Sequence, residues 1–557
     1  MSSTHSTLSR DQIKDRILGC LFGNAVGDSY GLATEFMSKK HAQERYGNGP
    51  IAFGKDEGYP VWLDSHRSKW ARNDFTDDTD QMLLLLQSLQ QTRDGRLHAT
   101  NFAKRLKEWS IIGFPEMGTP PRGIGFTVGS TLTHPEFRYN PHKAAFEARL
   151  SLHSTQSTLC DFSIWNSKGR SLAANGAVMR TSVLGVECFW DEPRVVENAL
   201  AAAKVTHADP RSIVSALIAS VLISRLLRGG GQHASQDTTR VWNAQLEHGQ
   251  YKAQLLEYLQ RGTDIRGEQT AEPEYEPETA TSVFKNKDER AIAKQRTAAA
   301  GSSSPTTAPG GSMATRSFKT GFVDRVTEFV TGGSAARQAS DTWNSNRPEV
   351  KMRETVGWAG MDGVGADEAM QALAQSVVED YKFLLLDTDV VPPTINLNNR
   401  PPAQTQADGE ADVDNVTPAP LPRRIQEKWT KELETSCFPE NLGALDLGHA
   451  AHMGYTFKCV GSGFYAVTRQ LDAAATIEAY KGPTGLFRGI IEQVTLEAGD
   501  ADTNGAVVGS LLGARFGLKD GIPDSWWPEL LHYQWFMDIA DQFADRVLAM
   551  YQEQEQE

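Results

Sequence analysis

Apolar residues recur three and four apart along most of this chain and rarely alternate with polar ones, so the pattern predicts helices and an all-α protein. Ser9 and Gln12 form a capping-box pattern, and Ile13, Ile17 and Leu21 follow on one helical face. A second helix is expected from Thr76 through Leu83, Leu86 and Leu89, and a third from Ala99 to Ile111. Pro193 to Ala203 and Ser212 to Leu227 read as further helices, the latter strongly apolar through Ile213, Leu217, Val221 and Leu226. Helical character returns at Met370 to Leu386 and again from Ile425. The chain closes on an aromatic, amphipathic segment, Trp526 to Met550.

Two stripes of glycine interrupt this pattern. Gly19, Gly23, Gly27 and Gly31 are four apart, as are Gly505, Gly509, Gly513 and Gly517. Each glycine inside a helix costs roughly 1 kcal/mol relative to alanine, so such a stripe implies that another backbone comes close. For Gly27 and Gly31 a loop is the alternative.

Composition divides the chain. Residues 1–10 are polar and read as a flexible start. Residues 262–318 are rich in Glu, Thr, Ala, Ser, Pro and Gly, and a second proline-rich stretch covers 392–424. Segments of this kind bury too little apolar surface to offset their ordering entropy. The expected organisation is one helical domain from 11–230 and 425–550, split by a largely low-complexity insertion, 231–424, that carries some helix.

The net charge of −14 over 557 residues argues against a general nucleic-acid surface. Five sparse cysteines with no zinc spacing suit a reducing compartment. The first 20 residues lack the pattern of a signal peptide, and runs such as Leu83 to Leu86 are too short to span a bilayer. A soluble monomer in the cytoplasm or nucleus is expected, with no membrane and no direct nucleic-acid partner.

The candidate chemistry sits in two acidic clusters far apart in sequence: Thr76-Asp77-Asp78-Thr79 and Gly499-Asp500-Ala501-Asp502-Thr503. Each precedes a helical run, and each alone reads as a helix cap. Together they supply carboxylates and hydroxyls, the ligands that Mg²⁺ and Mn²⁺ prefer. Buried together without a cation, those carboxylates would repel one another. The pair therefore points to a two-metal centre assembled from both ends of the chain.

Five motifs then carry a resemblance. Gly19-Cys20-Leu21-Phe22-Gly23-Asn24-Ala25-Val26-Gly27-Asp28-Ser29-Tyr30-Gly31, ending at Glu35-Phe36, resembles the opening of the ADP-ribosylglycohydrolase family. Thr76 to Thr79 looks like that family's first metal motif. Asn175-Gly176-Ala177-Val178-Met179-Arg180 resembles its N-G-x-x-M-R segment, and Thr206-His207-Ala208-Asp209-Pro210 its T-H-x-D-P segment. Gly499 to Ala506 looks like the closing metal motif. No single motif is decisive, but the ordered set is specific. Ala174 departs from the pattern, standing where many members have glycine.

The resemblance implies a compact multi-helix orthogonal bundle with a binuclear centre, usually two Mg²⁺ and in some members Mn²⁺. Thr76, Asp77, Asp78, Asp500, Asp502 and Thr503 would be the ligands, with Asp502 bridging. Glu35, Asp77 and Asp78 form the catalytic set, Glu35 being the candidate base or leaving-group acid. Gly123 and Gly125, in a loop resembling the family's diphosphate cradle, join Asn175 and His207 as substrate-binding positions. Arg180 is expected to pair with an aspartate behind the site. The implied reaction is hydrolysis of the bond between ADP-ribose and a protein side chain or small leaving group. A two-metal phosphohydrolase and a silent ADP-ribose-binding or structural protein are the alternatives.

Overall fold

The computed structural model describes residues 6–139, 168, 172–230, 365–385, 423–471 and 481–556. The expectations for 231–364 and 386–422 lie outside the described residues. Among the described residues the protein is all-α: isolated bridges occur, but no strand.

Helix α1 spans Arg10–Gly31 and is the axis of the fold. Its capping box is present, with Ser9 and Gln12 each bonding the other's backbone. The helix runs unbroken through Gly27 to Gly31, so the loop alternative for those glycines is excluded. The opening segment is held from Ser6, whose N–H donates to the Tyr551 hydroxyl at 2.9 Å and whose hydroxyl donates to the Leu227 carbonyl at 3.0 Å.

The remaining helices are α2 (Lys39–Tyr46), α3 (Asp77–Leu89), α4 (Ala99–Ile112), α5 (Phe126–Thr133), α6 (Pro135–Tyr139) and α7 (Ser182–Val186). Then come α8 (Glu192–Lys204), α9 (Pro210–Leu227), α10 (Glu368–Tyr381), α11 (Arg423–Cys437) and α12 (Thr456–Val467). The last are α13 (Gly482–Glu497), α14 (Ala501–Phe516) and α15 (Tyr533–Gln556).

The glycine stripes meet each other. α1 and α14 run antiparallel, with Gly19 against Gly513, Gly23 against Gly509, Gly27 against Gly505 and Gly31 against Ala501. A Cβ added at Gly23, Gly27, Gly505, Gly509 or Gly513 would collide with a carbonyl oxygen of the opposite helix. The backbones touch, and this register has a functional consequence: the last turn of α1, with Asp28, lies beside the first turn of α14, with Asp502.

Around this pair the apolar helices close. α9 is long and apolar enough to cross a bilayer by length and composition, but 89% of it is buried inside the protein. α10 docks where Arg225 bridges Glu192 and Asp380, both at 2.6 Å, and Tyr381 donates to Glu192 at 2.8 Å. The C-terminal segment covers α1 with aromatic rings: Phe22 sits 4.6 Å from Phe536, and Tyr30 stacks on Trp526 at 4.8 Å. The aromatic, amphipathic segment from Trp526 to Met550 divides into a short turn at Trp527–Glu529 and α15. The break falls at His532, whose φ of 64° cannot continue a right-handed helix.

Candidate active site

Two helix N-termini converge at the α1–α14 register. α3 begins at Asp77, with Thr76 as its cap, and α14 begins at Ala501, with Asp500 before it. The exposed N–H groups and dipoles of both ends favour negative charge between them. Asp28 fixes α3 against α1. Its carboxylate accepts from the N–H groups of Thr76 and Thr79, each at 3.0 Å, and from the Thr79 hydroxyl at 2.5 Å. Asp28 thus caps α3 from another helix.

The second cluster is positioned by strained backbone. Ala498 and Gly499 both have positive φ, 63° and 77°, and so does Phe36, at 60°. A short parallel bridge joins these segments: Phe36 N–H donates to Gly499 at 2.6 Å, and Gly499 N–H to Met37 at 2.9 Å. Glu35 is thereby stapled beside Asp500. Each left-handed non-glycine residue costs of order 1 kcal/mol, and such outliers persist where the surroundings over-determine them.

Carboxylate oxygens of Asp28, Asp78 and Asp502 lie within 4.8 Å of one another, and so do those of Glu35, Asp500 and Asp502. The two triads share Asp502. Asp77 and Asp500 are partly exposed; Asp28, Glu35, Asp78 and Asp502 are buried. Asp78 is held at both oxygens, by the Thr76 and Thr503 hydroxyls, each at 2.9 Å. Asp502 differs: its Oδ1 is buried with no hydrogen-bond partner. Asp77 stands outside both triads. Gln81 Nε2 donates to it at 2.7 Å, and a Cβ on Gly123 would sit 3.3 Å from its Oδ1.

The electrostatics follow from burial first and from like charge second. Desolvation pushes the Asp28 carboxyl up to about 6, against hydrogen bonds from Thr79 and Thr76. Asp78 and Asp502 are raised well above the usual carboxylate range by burial, then by Asp28 and Asp77 for the former and by Glu35 and Asp78 for the latter. Asp77 is raised well by burial, Glu35 and Asp28, and Asp500 is raised by burial against the Asn175 bond. An all-oxygen donor set, under mutual repulsion and with an orphaned carboxylate oxygen, fits hard divalent cations.

The substrate-binding positions of the sequence reading fall on two sides. Asn175 Nδ2 donates to Asp500 Oδ2 at 2.7 Å, and its own N–H donates to Gly454 at 3.0 Å. Ala174 has ordinary extended backbone (φ −76°, ψ 151°), which alanine adopts as readily as glycine. His207 is buried beneath Gly176, whose added Cβ would sit 3.3 Å from the ring. Burial, then Arg180, lower the His207 pKa well below its ordinary value, so its imidazole is neutral. Its Nε2 is buried without a partner. Gly125 opens on empty space at the start of α5, with nothing within 4 Å of an added Cβ.

Arg180 does not form the expected aspartate pair. It donates to Gln81 Oε1 at 2.7 Å, to Thr206 Oγ1 at 2.6 Å and to the Ala202 carbonyl at 3.1 Å. By occupying Gln81 Oε1 it turns Nε2 of the same amide toward Asp77. The sequence reading also passed over Asp28, His66, Asp74 and Asp80. His66 Nε2 faces Glu35 Oε2 at 2.6 Å. Arg122 ties the glycine loop down by ion pairs to Asp80 at 2.6 Å and Asp74 at 2.8 Å.

Comparison with known proteins bears on the family. A family model for ADP-ribosylglycohydrolase matches residues 9–337 and 363–557. An uncharacterised protein of Archaeoglobus fulgidus is 26% identical over 212 residues, 38% of this chain and 56% of its own length. An ADP-ribosyl-(dinitrogen reductase) glycohydrolase of Rhodospirillum rubrum is 25% identical over 225 residues, 40% of this chain and 62% of its own length. The matched region thus spans less than two thirds of either relative. A solved structure described as an ADP-ribosylglycohydrolase-related protein complex aligns at 15% identity with a TM-score of 0.40, covering 96% of this chain and 99% of that one.

Proposed function

We propose that this chain, which belongs to the ADP-ribosylglycohydrolase family, hydrolyses the glycosidic bond between ADP-ribose and a protein side chain or small leaving group, using two divalent cations. The observation that carries the reading is the pair of carboxylate triads sharing Asp502, with its orphaned Oδ1, between two helix N-termini. Asp28, Asp78 and Asp502 would hold one Mg²⁺ or Mn²⁺, and Asp500 and Asp502 the other, with Glu35 beside it to receive a proton and the Thr76 and Thr503 hydroxyls alongside. When bound, such ions supply Lewis acidity toward sugar hydroxyls and lower the pKa of water.

The chain's own groups perform the rest. Glu35 is held at Oε2 by His66, so Oε1 is the atom that takes the attacking water's proton. A carboxylate only accepts hydrogen bonds, so His66 Nε2 carries the hydrogen between them. Glu35 and Asp77 place negative charge beside the developing oxocarbenium ion. Gln81 keeps Asp77 turned to that position. The loop from Pro121 to Gly125, anchored by Arg122, offers backbone N–H groups to the diphosphate at the start of α5. Asn175 orients Asp500 and lines the pocket with neutral His207 behind it.

The test is one panel of arginine- and serine-linked ADP-ribosyl peptides and O-acetyl-ADP-ribose, assayed with Mg²⁺, Mn²⁺ and chelator. Release of intact ADP-ribose that stops with chelator supports the reading. Formation of AMP and ribose phosphate would favour the phosphohydrolase alternative, and binding without any product would favour a silent ADP-ribose reader.

A further inference from the structure

A second ligand set lies outside the acidic centre, in the loop that leads into α12. One atom from each of Asp446, His449 and His452 falls within 4.8 Å of the others. The three residues are spaced by three, and successive tight turns bring them to one side: His449 N–H donates to Asp446 at 3.2 Å, and His452 N–H to His449 at 2.8 Å. Asp446 opens the turn in a left-handed conformation, φ 52°. The two imidazole rings lie 5.0 Å apart.

The imidazole nitrogens have defined states. His452 Nδ1 sits 3.0 Å from the Asp446 carbonyl oxygen, which can only accept, so Nδ1 carries the hydrogen and Nε2 keeps its lone pair. A backbone carbonyl fixing the tautomer in this way is the usual support of a metal-binding histidine. His449 Nδ1 accepts a long bond of 3.2 Å from Ala451 N–H, a contact that a cation taking this nitrogen's lone pair would displace. Asp446 and His449 are exposed and His452 half-buried, which leaves room for water to complete a coordination shell.

We infer that Asp446, His449 and His452 form a surface site for a borderline transition-metal cation of the Zn²⁺ or Co²⁺ class, separate from the Mg²⁺-type centre. The ligand chemistry separates the two. Imidazole nitrogen suits Zn²⁺, Co²⁺, Ni²⁺ and Cu²⁺, whereas the all-oxygen set around Asp502 suits Mg²⁺ and Mn²⁺. The cation would also brace the loop that seats the acidic centre. Within this loop Leu447 abuts Gly499 and Gly454 accepts from the Asn175 N–H.

The experiment uses the full chain with Mg²⁺ in large excess to occupy the oxygen site. Zn²⁺ is added by calorimetric titration, and Co²⁺ is followed by its visible absorption. One equivalent of Zn²⁺ and one set of cobalt bands are expected for the wild-type chain. Both are lost in the double variant His449→Ala/His452→Ala and retained in Asp502→Asn. Circular dichroism checks that the double variant is folded; its exposed positions make loss of fold unexpected. Equal binding by the double variant, or no binding by the wild-type chain, overturns the inference. Because Asp502→Asn is the variant that disables the proposed catalytic centre, failure of that reading and failure of this one give different results.

Discussion

The same two helices, α1 and α14, build two regions with opposite character. Along most of their length they meet in a glycine seam where each backbone fills the space the other leaves. At one end the seam opens into a pocket of carboxylates with raised pKa values and an unpartnered oxygen on Asp502. The seam is complete as it stands, and nothing could be added to it. The pocket is not: close approach of the helix ends forces Asp28 against Asp502, and only added positive charge relieves the repulsion. The seam holds an arrangement that the pocket would not hold by itself, and stability and function are divided between the ends of one interface.

The sharpest way to break the comparison is to enlarge a residue in the seam. Gly23→Val places its Cβ against the Gly509 carbonyl, and neither backbone can move without displacing the whole helix. A loss of about 3 kcal/mol or more is expected, read as failure to give a cooperative thermal transition. Gly125→Ala is the control: it meets open space and should leave the transition temperature unchanged. If Gly23→Val melts like the wild-type chain, the seam is not what holds the pocket.

The next test inverts the sign. Asp502→Asn removes one charge from both triads at once. Turnover should fall by at least about a hundredfold, since such a cation centre supplies several kcal/mol of transition-state stabilisation. With chelator present, the variant should nevertheless unfold at a higher temperature than the wild-type chain, because the buried repulsion is reduced. Mg²⁺ should raise the wild-type transition and leave that of the variant in place. A variant less stable than the wild-type chain in chelator would mean that the pocket carries no repulsion.

How much of this was visible in the sequence differs between the two regions for a physical reason. The seam is periodic: glycines four apart announce a helix face, and the capping box at Ser9 announces its start. The acidic clusters were visible because each is local, a few residues before a helix. What was hidden are partnerships across the chain. Asp28 sits at the end of the glycine face, and a carboxylate on a face meant to be buried was the signal available for it. His66 lies in an irregular segment with no period, and nothing local links it to Glu35. Arg180 shows the limit from the other side: a pairing behind the site was expected, but its partner is the Gln81 amide and not an aspartate. Hydrogen-bond partners are fixed by tertiary register, which a single sequence does not display.

A pH series sharpens the comparison without mutation. A carboxyl whose folded pKa lies above its unfolded value binds more protons when folded, so stability falls as pH rises from the unfolded value toward the folded one. For Asp28 that window runs from 3.8 to about 6; for Asp77, Asp78 and Asp502 it extends higher. Glu192 behaves oppositely, held down to about 2 by Arg225 and Arg228, but its contribution is complete above 4.5. His207, and to a lesser degree His41 and His532, have lowered pKa values and oppose this below pH 6.5, but the raised carboxyls outnumber them. Above pH 5 the metal-free chain should therefore lose stability with rising pH, by about 1.4 kcal/mol per unit for each carboxyl in its window. Denaturant midpoints measured in chelator at pH 5, 6 and 7 give the slope. Excess Mg²⁺ should flatten or reverse it, since cations bind the deprotonated form. A rising slope in chelator would contradict the raised values.

The smallest expected effect concerns the groups behind the pocket. Gln81 bridges Arg180 and Asp77, 2.7 Å from each, and contributes no charge of its own. In Gln81→Ala, Asp77 loses the donor that orients it, while the two triads around Asp502 keep every carboxylate. Groups that orient a metal site at one remove typically change affinity or activity by about tenfold or more. Because Asp77 lies outside the triads, the loss should appear in turnover at saturating Mg²⁺, with the Mg²⁺ dependence of the melting transition little changed. A variant that instead binds Mg²⁺ more weakly, with normal turnover once saturated, would place Asp77 among the cation's ligands. The boundary between the self-sufficient frame and the cation-dependent pocket would then move one residue toward α3.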